Sequence, residues 1–326
     1  MSTTPERTAT IQWSVVVPAY NCAHFLAETL EGVVAQLGGR ADAEIIVVDD
    51  ASTDDPEAVV RDVGRGHVRY ERNPRNLGAI GTFNRCIDLA RGEWVHMLHG
   101  DDIVLPGFYR AMERGIRTSI GTGIGTGIDT GGAAALSAMC RTVDIDENGA
   151  QLHESRRYRE GTGVWDGAFD AFVVSNRVRT PGIVVRRAAY EQVGSFREDL
   201  PHAADWEMWT RLAAAGPVVF VDEVLAGYRK HGESDSSHRM RTGINIRERV
   251  TAIGVIGQHV PPARRPRTAR RALFYSVAYA GRSSWQQVRR RQWRVAAVQA
   301  KEGARCLLHL PRAVEHTTGA VRADQG

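Results

Sequence analysis

The chain has 326 residues, 43% of them hydrophobic and 25% charged, a composition typical of a soluble globular protein with a large core. It contains no run of about 18 apolar residues and no apolar stretch near its polar start, so neither a membrane-spanning helix nor a secretory signal is predicted. The net charge of +4 combines a basic segment, residues 261–326 with a balance of +11, with a remainder of −7. The four cysteines are far apart and lack metal-site spacing, so free thiols in the cytoplasm are expected.

Strand-like and helical segments alternate in the first hundred residues. Apolar runs of strand length lie at 15–17, 45–48 and 94–98, and a further short strand is predicted at 68–71. Helical spacing of apolar side chains predicts helices over 22–37, 57–63 and 79–90. This alternation implies an α/β fold with a parallel sheet and right-handed crossovers.

Three of these runs end in polar or turn-forming residues: Pro18 to Asn21, Asp49 to Ser52, and His99 to Asp102. Because ligands of open α/β sheets bind beyond the carboxyl ends of the strands, we expect the three clusters to converge on one site. Carboxylates gathered there repel each other unless a cation or donor groups satisfy them. The pattern indicates a site for a metal and a polar, phosphorylated ligand.

The middle of the chain carries a Gly/Thr-rich stretch at 117–132, which we interpret as a flexible surface insertion. A phosphate-cradling loop is the alternative, although no strand leads into the stretch and no Lys follows it. Beyond it, the pattern predicts strands at 134–145, 180–187 and 218–221, and helices at 169–174, 188–193 and 204–214. The Arg-rich end is predicted to be helical over 267–280 and 284–308.

A series of short segments resembles, in order, the motifs of the family 2 inverting glycosyltransferases. They are Val16 to Asn21, Val47 to Asp54, Asn76 to Gly78, Leu98 to Asp102, Val185 to Phe196, Asp205 to Trp209 and Tyr228 to His231. The resemblance covers about residues 11–237 and implies the GT-A fold, a mostly parallel nucleotide-binding sheet fused to an acceptor-binding half. It implies a nucleotide-sugar-binding half at 11–110 and an acceptor and catalytic half at 133–237. The Arg-rich sequence that follows predicts a basic helical extension at 241–326.

The resemblance also implies the reaction: transfer of a sugar from a nucleoside-diphosphate sugar to an acceptor hydroxyl, with inversion and with a divalent cation, Mn²⁺ or Mg²⁺. Asp205 corresponds to the general base, with Glu207 as a competing carboxylate. Asp101 and His231 correspond to metal ligands. The residues expected to bind the donor are Pro18, Ala19, Tyr20, Asn21, Asp49, Asp50, Asn76, His99, Asp101 and His231. His99 departs from the family pattern, which has an Asp there, and either hydrogen-bonds the ribose or ligates the metal.

Each of these residues also has a structural interpretation. Asp49, Asp50 and Ser52 could cap a helix, Asp101 and Asp102 could form a turn, and Asp205 could be favoured by a helix dipole. His231 could be an exposed loop residue. Trp206 and Trp209 are predicted to pack in the core rather than stack on a sugar.

Two other functions compete with glycosyl transfer. A nucleotidyltransferase making nucleotide sugars would carry a Gly-rich, basic loop after the first strand, which the segment Pro18 to Cys22 lacks. A non-catalytic nucleotide-sugar-binding protein is the second alternative, suggested by His99. The donor sugar and the acceptor, whether a cell-envelope saccharide or a secondary metabolite, stay open.

The basic C-terminal region has three interpretations. It could be a solvated helical cap on the fold. It could contact anionic lipid at the inner face of the membrane, as suggested by the apolar residues Trp285, Val288, Trp293 and Val298 among Arg289, Arg290, Arg291 and Arg294. Nucleic acid is not expected as a partner, because the charge is present without a recognisable module.

Overall fold

The computed structural model describes residues 12–121, 135–232 and 234–309. Within these ranges the strands are β1 Trp13–Ala19, β2 Ala43–Asp49, β3 Val68–Arg72, β4 Trp94–Met97, β5 Ile103–Val104, β6 Ser137–Ile145, β7 Gln151–Glu154, β8 Gly163–Val164, β9 Ile183–Arg186 and β10 Val218–Arg229. The α-helices are α1 Ala23–Leu37, α2 Pro56–Gly64, α3 Gly78–Leu89, α4 Phe108–Gly121, α5 Ala168–Phe172, α6 Arg187–Val193, α7 Ala204–Ala215, α8 Asp235–Thr242, α9 Ile244–Ile256, α10 Arg265–Arg289 and α11 Trp293–Leu308. Most of the Gly/Thr-rich insertion lies outside the described residues, and residues 117–121 form the end of α4.

The strands form one mixed sheet in the order β3-β2-β1-β4-β9-β6-β10-β5, with β7 beside β6 and β8 beside β10. The first four strands are parallel, as the alternation of strands and helices predicted. β9 is antiparallel to both β4 and β6, whereas β6 and β10 are parallel to each other. The fold is therefore α/β with a mostly parallel central sheet and a helical C-terminal region.

The central strands are buried along their whole length because helices cover the sheet. Every residue of β1 is buried, and the four apolar residues 45–48 of β2 are buried as well, as expected of inner parallel strands. α1 contributes Phe25, Leu26, Leu30 and Val33 to the same core. This packing fixes the backbone immediately before each of the three polar clusters.

Two compact units divide the chain. The first consists of Met1–Trp165, Arg179–Ser195 and Gly216–Arg229 and holds all the described strands. The second consists of Asp166–Val178, Phe196–Ala215 and Lys230–Gly326 and is helical where described. This grouping differs from the one drawn from the sequence, because α5 and α7 share a core with the C-terminal helices; that core includes Leu200, Trp206, Ile246, Ile253 and Leu273.

Two element boundaries differ from the sequence prediction. β10 continues from Val218 to Arg229, well past the predicted end at Val221, because it pairs with β6 and then with β5. α10 continues through Gly281 to Arg289, so the predicted break between 280 and 284 is wrong. A glycine inside a helix costs only about 1 kcal/mol, and Ala280, Ser283 and Gln287 stay buried on the packed face.

The state of the cysteines and the hydropathy of the helices can be compared with the sequence predictions over the described residues. All four cysteines lie in these ranges and are free thiols. No helix of the described chain combines the length and the hydropathy needed to cross a bilayer.

Candidate functional site

The turns after β1 and β2 are tied together at the carboxyl edge of the sheet. The backbone N–H of Asn21 donates to Ser52 Oγ over 3.0 Å, and the backbone N–H of Thr53 donates to Asn21 Oδ1 over 2.8 Å. Asn21 and Ala51 both have positive φ, at 49° and 59°. Non-glycine residues in this region are uncommon and often accompany functional turns.

In the first predicted cluster, Pro18 to Asn21, only the last two residues are exposed to solvent. Pro18 and Ala19 are buried in β1, whereas Tyr20 is 53% exposed and Asn21 is exposed. The first two residues can thus contribute only backbone, and the Tyr20 ring is the group available to a ligand.

Asp49 is buried and already satisfied by the protein. Its carboxylate accepts hydrogen bonds from Tyr70 Oη at 2.7 Å and from the backbone N–H of Ser52 at 2.9 Å, and it pairs with Arg72 Nη1. Burial, together with the bond to Asp49, raises the pKa of Tyr70 to about 12. Asp49 thereby fixes the side chains of β3 at this edge of the sheet.

Asp50 is also buried, and it caps the start of α3. Its carboxylate accepts the backbone N–H groups of Leu77 at 2.7 Å and Gly78 at 3.0 Å, and the side-chain amide of Asn73 at 2.8 Å. The capping alternative is therefore correct for Asp50, although the capped helix is α3 and not α2, whose N-cap is Asp55. The neighbouring Asn76 is exposed and accepts the N–H of Gly78 over 2.9 Å.

The third cluster forms the turn after β4 and brings together His99, Asp101 and Asp102. One ligand atom from each of these residues lies within 4.8 Å of the other two. The His99 ring stacks on Phe83, with ring centroids 5.0 Å apart and planes 13° from parallel. Its Nδ1 lies 3.7 Å from Asp102 Oδ2. Three residues of this turn thus converge on one small volume.

The donor chemistry of this cluster fits a divalent cation. Two carboxylates are ligands that suit Mg²⁺ and Mn²⁺, and an imidazole is a further nitrogen ligand. Asp102 Oδ2 is buried and has no hydrogen-bond partner among the described residues. A buried carboxylate oxygen without a donor is costly unless something satisfies it, which is a role that a cation at this position would fill.

The sequence indicated Asp101 and His231 as metal ligands and did not indicate Asp102. Its other oxygen, Oδ1, accepts the backbone N–H of Arg229 over 2.9 Å. Burial, with the negative charge of Asp101 next to it, raises the pKa of Asp102 well above its ordinary value. The adjacent acidic pair in the sequence was the available signal, but burial of one member could not be read from it.

Arg229 is a second residue that the sequence did not single out. Its guanidinium is buried; Nε donates to the Asp101 carbonyl over 2.8 Å, and Nη1 donates to the carbonyls of Asp146 and Glu147 at 3.2 and 3.1 Å. Nη2 pairs with Glu28 at 2.5 Å. Arg229 therefore joins the end of β10 to the turn that carries the candidate ligands.

The predicted base, Asp205, lies in the second unit, in the first turn of α7. It is half-buried, and its Oδ2 accepts the side-chain amide of Asn176 over 2.7 Å. The competing carboxylate Glu207 is buried and pairs with Arg211 over 2.9 Å, one turn along the same helix. Asp205 is thus the more accessible of the two carboxylates.

The two tryptophans of this helix are core residues, as predicted. Trp206 and Trp209 are 2% and 1% exposed. The Trp206 indole N–H donates to the Phe172 carbonyl over 2.6 Å, and the Trp209 ring packs edge-on against Phe196. Neither ring is available to stack on a sugar.

A half-buried arginine from α9 adjoins this helix. The Arg249 guanidinium lies 4.6 Å from the centre of the Trp206 ring, and its Nε donates to Ser276 Oγ over 2.8 Å. Burial lowers the pKa of Arg249, and the charge of Asp205 is among those that oppose this. No sequence motif pointed to Arg249, because it lies outside the segments that resemble the family.

His231, predicted to approach the donor or the metal, follows β10 and belongs to the second unit. Its backbone carbonyl accepts hydrogen bonds from Ser234 Oγ at 3.1 Å and Ser237 Oγ at 2.8 Å, at the start of α8. Ser234 is the N-cap of that helix. The position of His231 is therefore fixed by the beginning of α8.

Comparisons with known proteins agree with these features. Residues 14–146 match the model of Glycosyl transferase family 2. An uncharacterized protein of Mycobacterium tuberculosis, MT1568, is 27% identical over 246 residues, which span 72% of each chain.

Two solved structures share the fold. Staphylococcus aureus TarS 1–349 in complex with UDP-GlcNAc has a TM-score of 0.56 and 16% identity over 92% of each chain. The mannosyltransferase PcManGT from Pyrobaculum calidifontis in complex with GDP-Man and Mn²⁺ has a TM-score of 0.53 and 16% identity, covering 97% of this chain and 90% of that one. Residues 14–146 are thus similar to glycosyl transferase family 2, and the fold is that of the GT-A glycosyltransferases.

Proposed function

We propose that the protein is an inverting, metal-dependent glycosyltransferase that moves a sugar from a nucleoside-diphosphate donor to an acceptor hydroxyl. The observation that carries the proposal is the convergence of His99, Asp101 and Asp102 in the turn after β4, at the carboxyl edge of a parallel sheet. In open α/β sheets this edge is where nucleotide ligands bind. The match of residues 14–146 to the family model supports glycosyl transfer itself.

We assign the donor to the first unit. Tyr20 and Asn21 are exposed beside the turn that follows β2, and Asn76 is exposed at the start of α3. Asp49 and Asp50 shape this edge by holding Tyr70, Arg72 and the first N–H groups of α3. In this proposal they act on the nucleotide through the groups that they position, and the backbone of Pro18 and Ala19 lines the same edge.

A divalent cation, Mn²⁺ or Mg²⁺, is the proposed cofactor, held by Asp101 with His99 and Asp102, and with His231 as the further predicted ligand. Bound there, it would neutralise negative charge on the leaving diphosphate. The chain supports this role by holding the turn against α1: the Thr29 hydroxyl donates to the Asp102 carbonyl over 2.7 Å and lies 3.1 Å from the Gly100 carbonyl. PcManGT, a structural neighbour, holds Mn²⁺ with GDP-Man.

Asp205 is the proposed general base for the acceptor hydroxyl. Inversion requires a base that takes the proton of the hydroxyl as it attacks the face of the sugar opposite the leaving group. The Asn176 amide orients the Asp205 carboxylate, whereas Glu207 is buried against Arg211. Accessibility therefore favours Asp205, and no covalent intermediate on the enzyme is needed.

We retain the functional division proposed from the sequence: a GT-A region at 11–237, with the donor half first and the acceptor half after residue 133, and a helical extension at 241–326. We propose that the protein works in the cytoplasm, in keeping with its free cysteines. The structural neighbours bind UDP-GlcNAc and GDP-Man, so uridine and guanosine diphosphate sugars are the first donors to test.

The test is release of nucleoside diphosphate from a panel of nucleotide sugars, with Mn²⁺, Mg²⁺ or EDTA. We expect slow, metal-dependent release from one donor, and a product of inverted anomeric configuration by NMR once an acceptor is found.

Asp205→Asn should lower turnover by about 10²-fold or more, which is the usual contribution of general base catalysis to the rate. Asp170→Asn, an exposed carboxylate of α5, is the matched control and should keep full turnover. Turnover that survives in Asp205→Asn would move the base elsewhere, and release that survives EDTA would contradict metal dependence.

A further inference from the structure

The longest helix, α10, exposes large aromatic side chains on the face opposite its packed one. Phe274 is 55% exposed and Trp285 is 64% exposed. They are 11 residues apart, about three helical turns, so both lie on one side of the helix about 16 Å from each other. The packed side is buried along the same length by Ala272, Leu273, Ser276, Ala280, Ser283 and Gln287. The exposed aromatic rings are therefore not part of the core of the second unit.

Basic side chains accompany these rings. The exposed residues at helical spacing on the same side of α10 are Arg267, Arg271, Phe274, Ala278, Trp285 and Arg289, with Arg282 beside them. None of these arginines has a carboxylate partner among the described residues. The face thus combines a central apolar strip with unpaired positive charge.

The turn between α10 and α11 continues the same chemistry. Arg289, Arg290, Arg291 and Arg294 are all exposed, and Trp293 is 63% exposed at the start of α11. Ser284 Oγ donates to the carbonyl of Ala296 over 2.9 Å, which joins the last turns of α10 to the first turn of α11. Trp285 and Trp293 therefore lie at the same end of the helical hairpin, next to the arginine-rich turn.

The charge of this segment indicates the sign of charge that a binding partner should carry. Between Arg249 and Lys301 there are ten Arg residues and no Lys, Asp or Glu. A surface of a single sign attracts a partner of the opposite sign, and aromatic rings exposed among arginines suit a surface that is apolar below a layer of anionic groups.

We propose that the solvent face of α10 and the turn to α11 form a surface that binds an anionic phospholipid bilayer. The arginines contact the lipid phosphates, and Phe274, Trp285 and Trp293 insert at the level of the headgroups. The predicted lipid contacts Val288 and Val298 are half-buried and belong to the packing between helices. One consequence rests on the proposed sugar transfer: the acceptor hydroxyl belongs to a lipid-linked molecule at the same membrane.

Vesicle flotation of the full chain tests this surface without any donor or acceptor. We expect binding to phosphatidylcholine vesicles that contain about 30% phosphatidylglycerol at low salt, but none to pure phosphatidylcholine. Binding should fall at least about 10-fold at 0.5 M NaCl, where charges on the surface are screened over about 4 Å. Emission of the exposed tryptophans should shift to shorter wavelength on binding, because their rings leave water.

Matched variants assign the binding to residues. Trp285→Ala with Trp293→Ala, and separately Arg289→Gln with Arg290→Gln and Arg291→Gln, should each reduce the bound fraction about 10-fold. Their melting temperatures should stay at that of the wild type, since all five side chains are exposed. Arg61→Gln with Leu152→Ala, an exposed basic and an exposed apolar residue of the first unit, is the control and should bind normally.

Three results would overturn the proposal: no binding to anionic vesicles at low salt, binding by both sets of variants equal to that of the wild type, or binding of an oligonucleotide with no binding of vesicles. Nucleotide-sugar turnover is measured separately on the same samples. A protein that turns over donor without binding vesicles would refute the membrane surface alone, and one that binds vesicles without turnover would refute the proposed function alone.

Discussion

At the scale of single residues, burial decides what each polar side chain can do. Sequence motifs do not show which of their residues are buried. The sequence placed Asp49, Asp50, Asp101 and Asp205 at the correct ends of their elements. It indicated helix capping as an alternative for Asp50 but not that the capped helix is α3, and it gave no sign that Glu207 pairs with Arg211. These distinctions depend on donors from distant parts of the chain, and periodicity carries no information about them.

His96 leads to a pH prediction at this scale. It is fully buried in β4, with its ring nitrogens 3.1 Å from Tyr109 Oη and 3.0 Å from the Pro181 carbonyl. Burial lowers the pKa of His96 from 6.5 to about 4. The native protein thus keeps it neutral, while the unfolded chain takes up a proton near pH 6.5. The free energy of unfolding should therefore fall by up to about 3 kcal/mol between pH 6.5 and 4.

Urea unfolding at pH 7 and at pH 5 measures this dependence. The variant His96→Gln should be less stable at pH 7, because it leaves hydrogen bonds of the core incomplete, but it should lose less stability than the wild type on acidification. His67→Gln, at an exposed histidine, should retain the wild-type pH dependence. Equal acid sensitivity of His96→Gln and the wild type would show that another group causes the loss.

At the scale of elements, the alternation of apolar runs with helical spacing predicted the parallel part of the sheet and most helix positions. The boundaries that differed were those decided by tertiary partners. β10 lengthens because β6 and β5 supply its hydrogen bonds, and α10 crosses Gly281 because its buried face packs against α11, where Gly303 lies close to Ala280. Local secondary-structure propensity indicates neither the pairing of β10 with β6 and β5 nor the packing of α10 on α11.

Arg229 tests how the elements of the first unit hold the candidate metal turn. Its guanidinium satisfies the carbonyls of Asp101, Asp146 and Glu147. Arg229→Met keeps much of the side-chain volume but leaves these acceptors without their donor, so it should destabilise the protein by about 3 kcal/mol or more. Thermal unfolding of Arg229→Met beside Arg61→Met, at a 71% exposed arginine, measures the difference. Similar melting temperatures for the two variants would contradict a structural role for Arg229.

At the scale of the whole molecule, the sequence separated a family-like region from a basic tail, whereas the structure groups α5 and α7 with that tail. The candidate base Asp205 therefore shares a unit with α9, and Arg249 of α9 packs on Trp206 next to it. A catalytic role of Asp205 would make the C-terminal helices part of the enzyme's working structure. The family resemblance could not indicate this, since it ends near residue 237.

The central claim is that the turn after β4 holds a divalent cation together with a nucleoside diphosphate. Isothermal titration of UDP or GDP into the full chain, with Mn²⁺ and with EDTA, measures it most directly. We expect binding of one nucleotide that requires Mn²⁺ and weakens by more than about 10-fold in Asp101→Asn. Asp88→Asn, an exposed carboxylate of α3, should bind like the wild type. Binding of equal strength in EDTA, or in Asp101→Asn, would contradict the account.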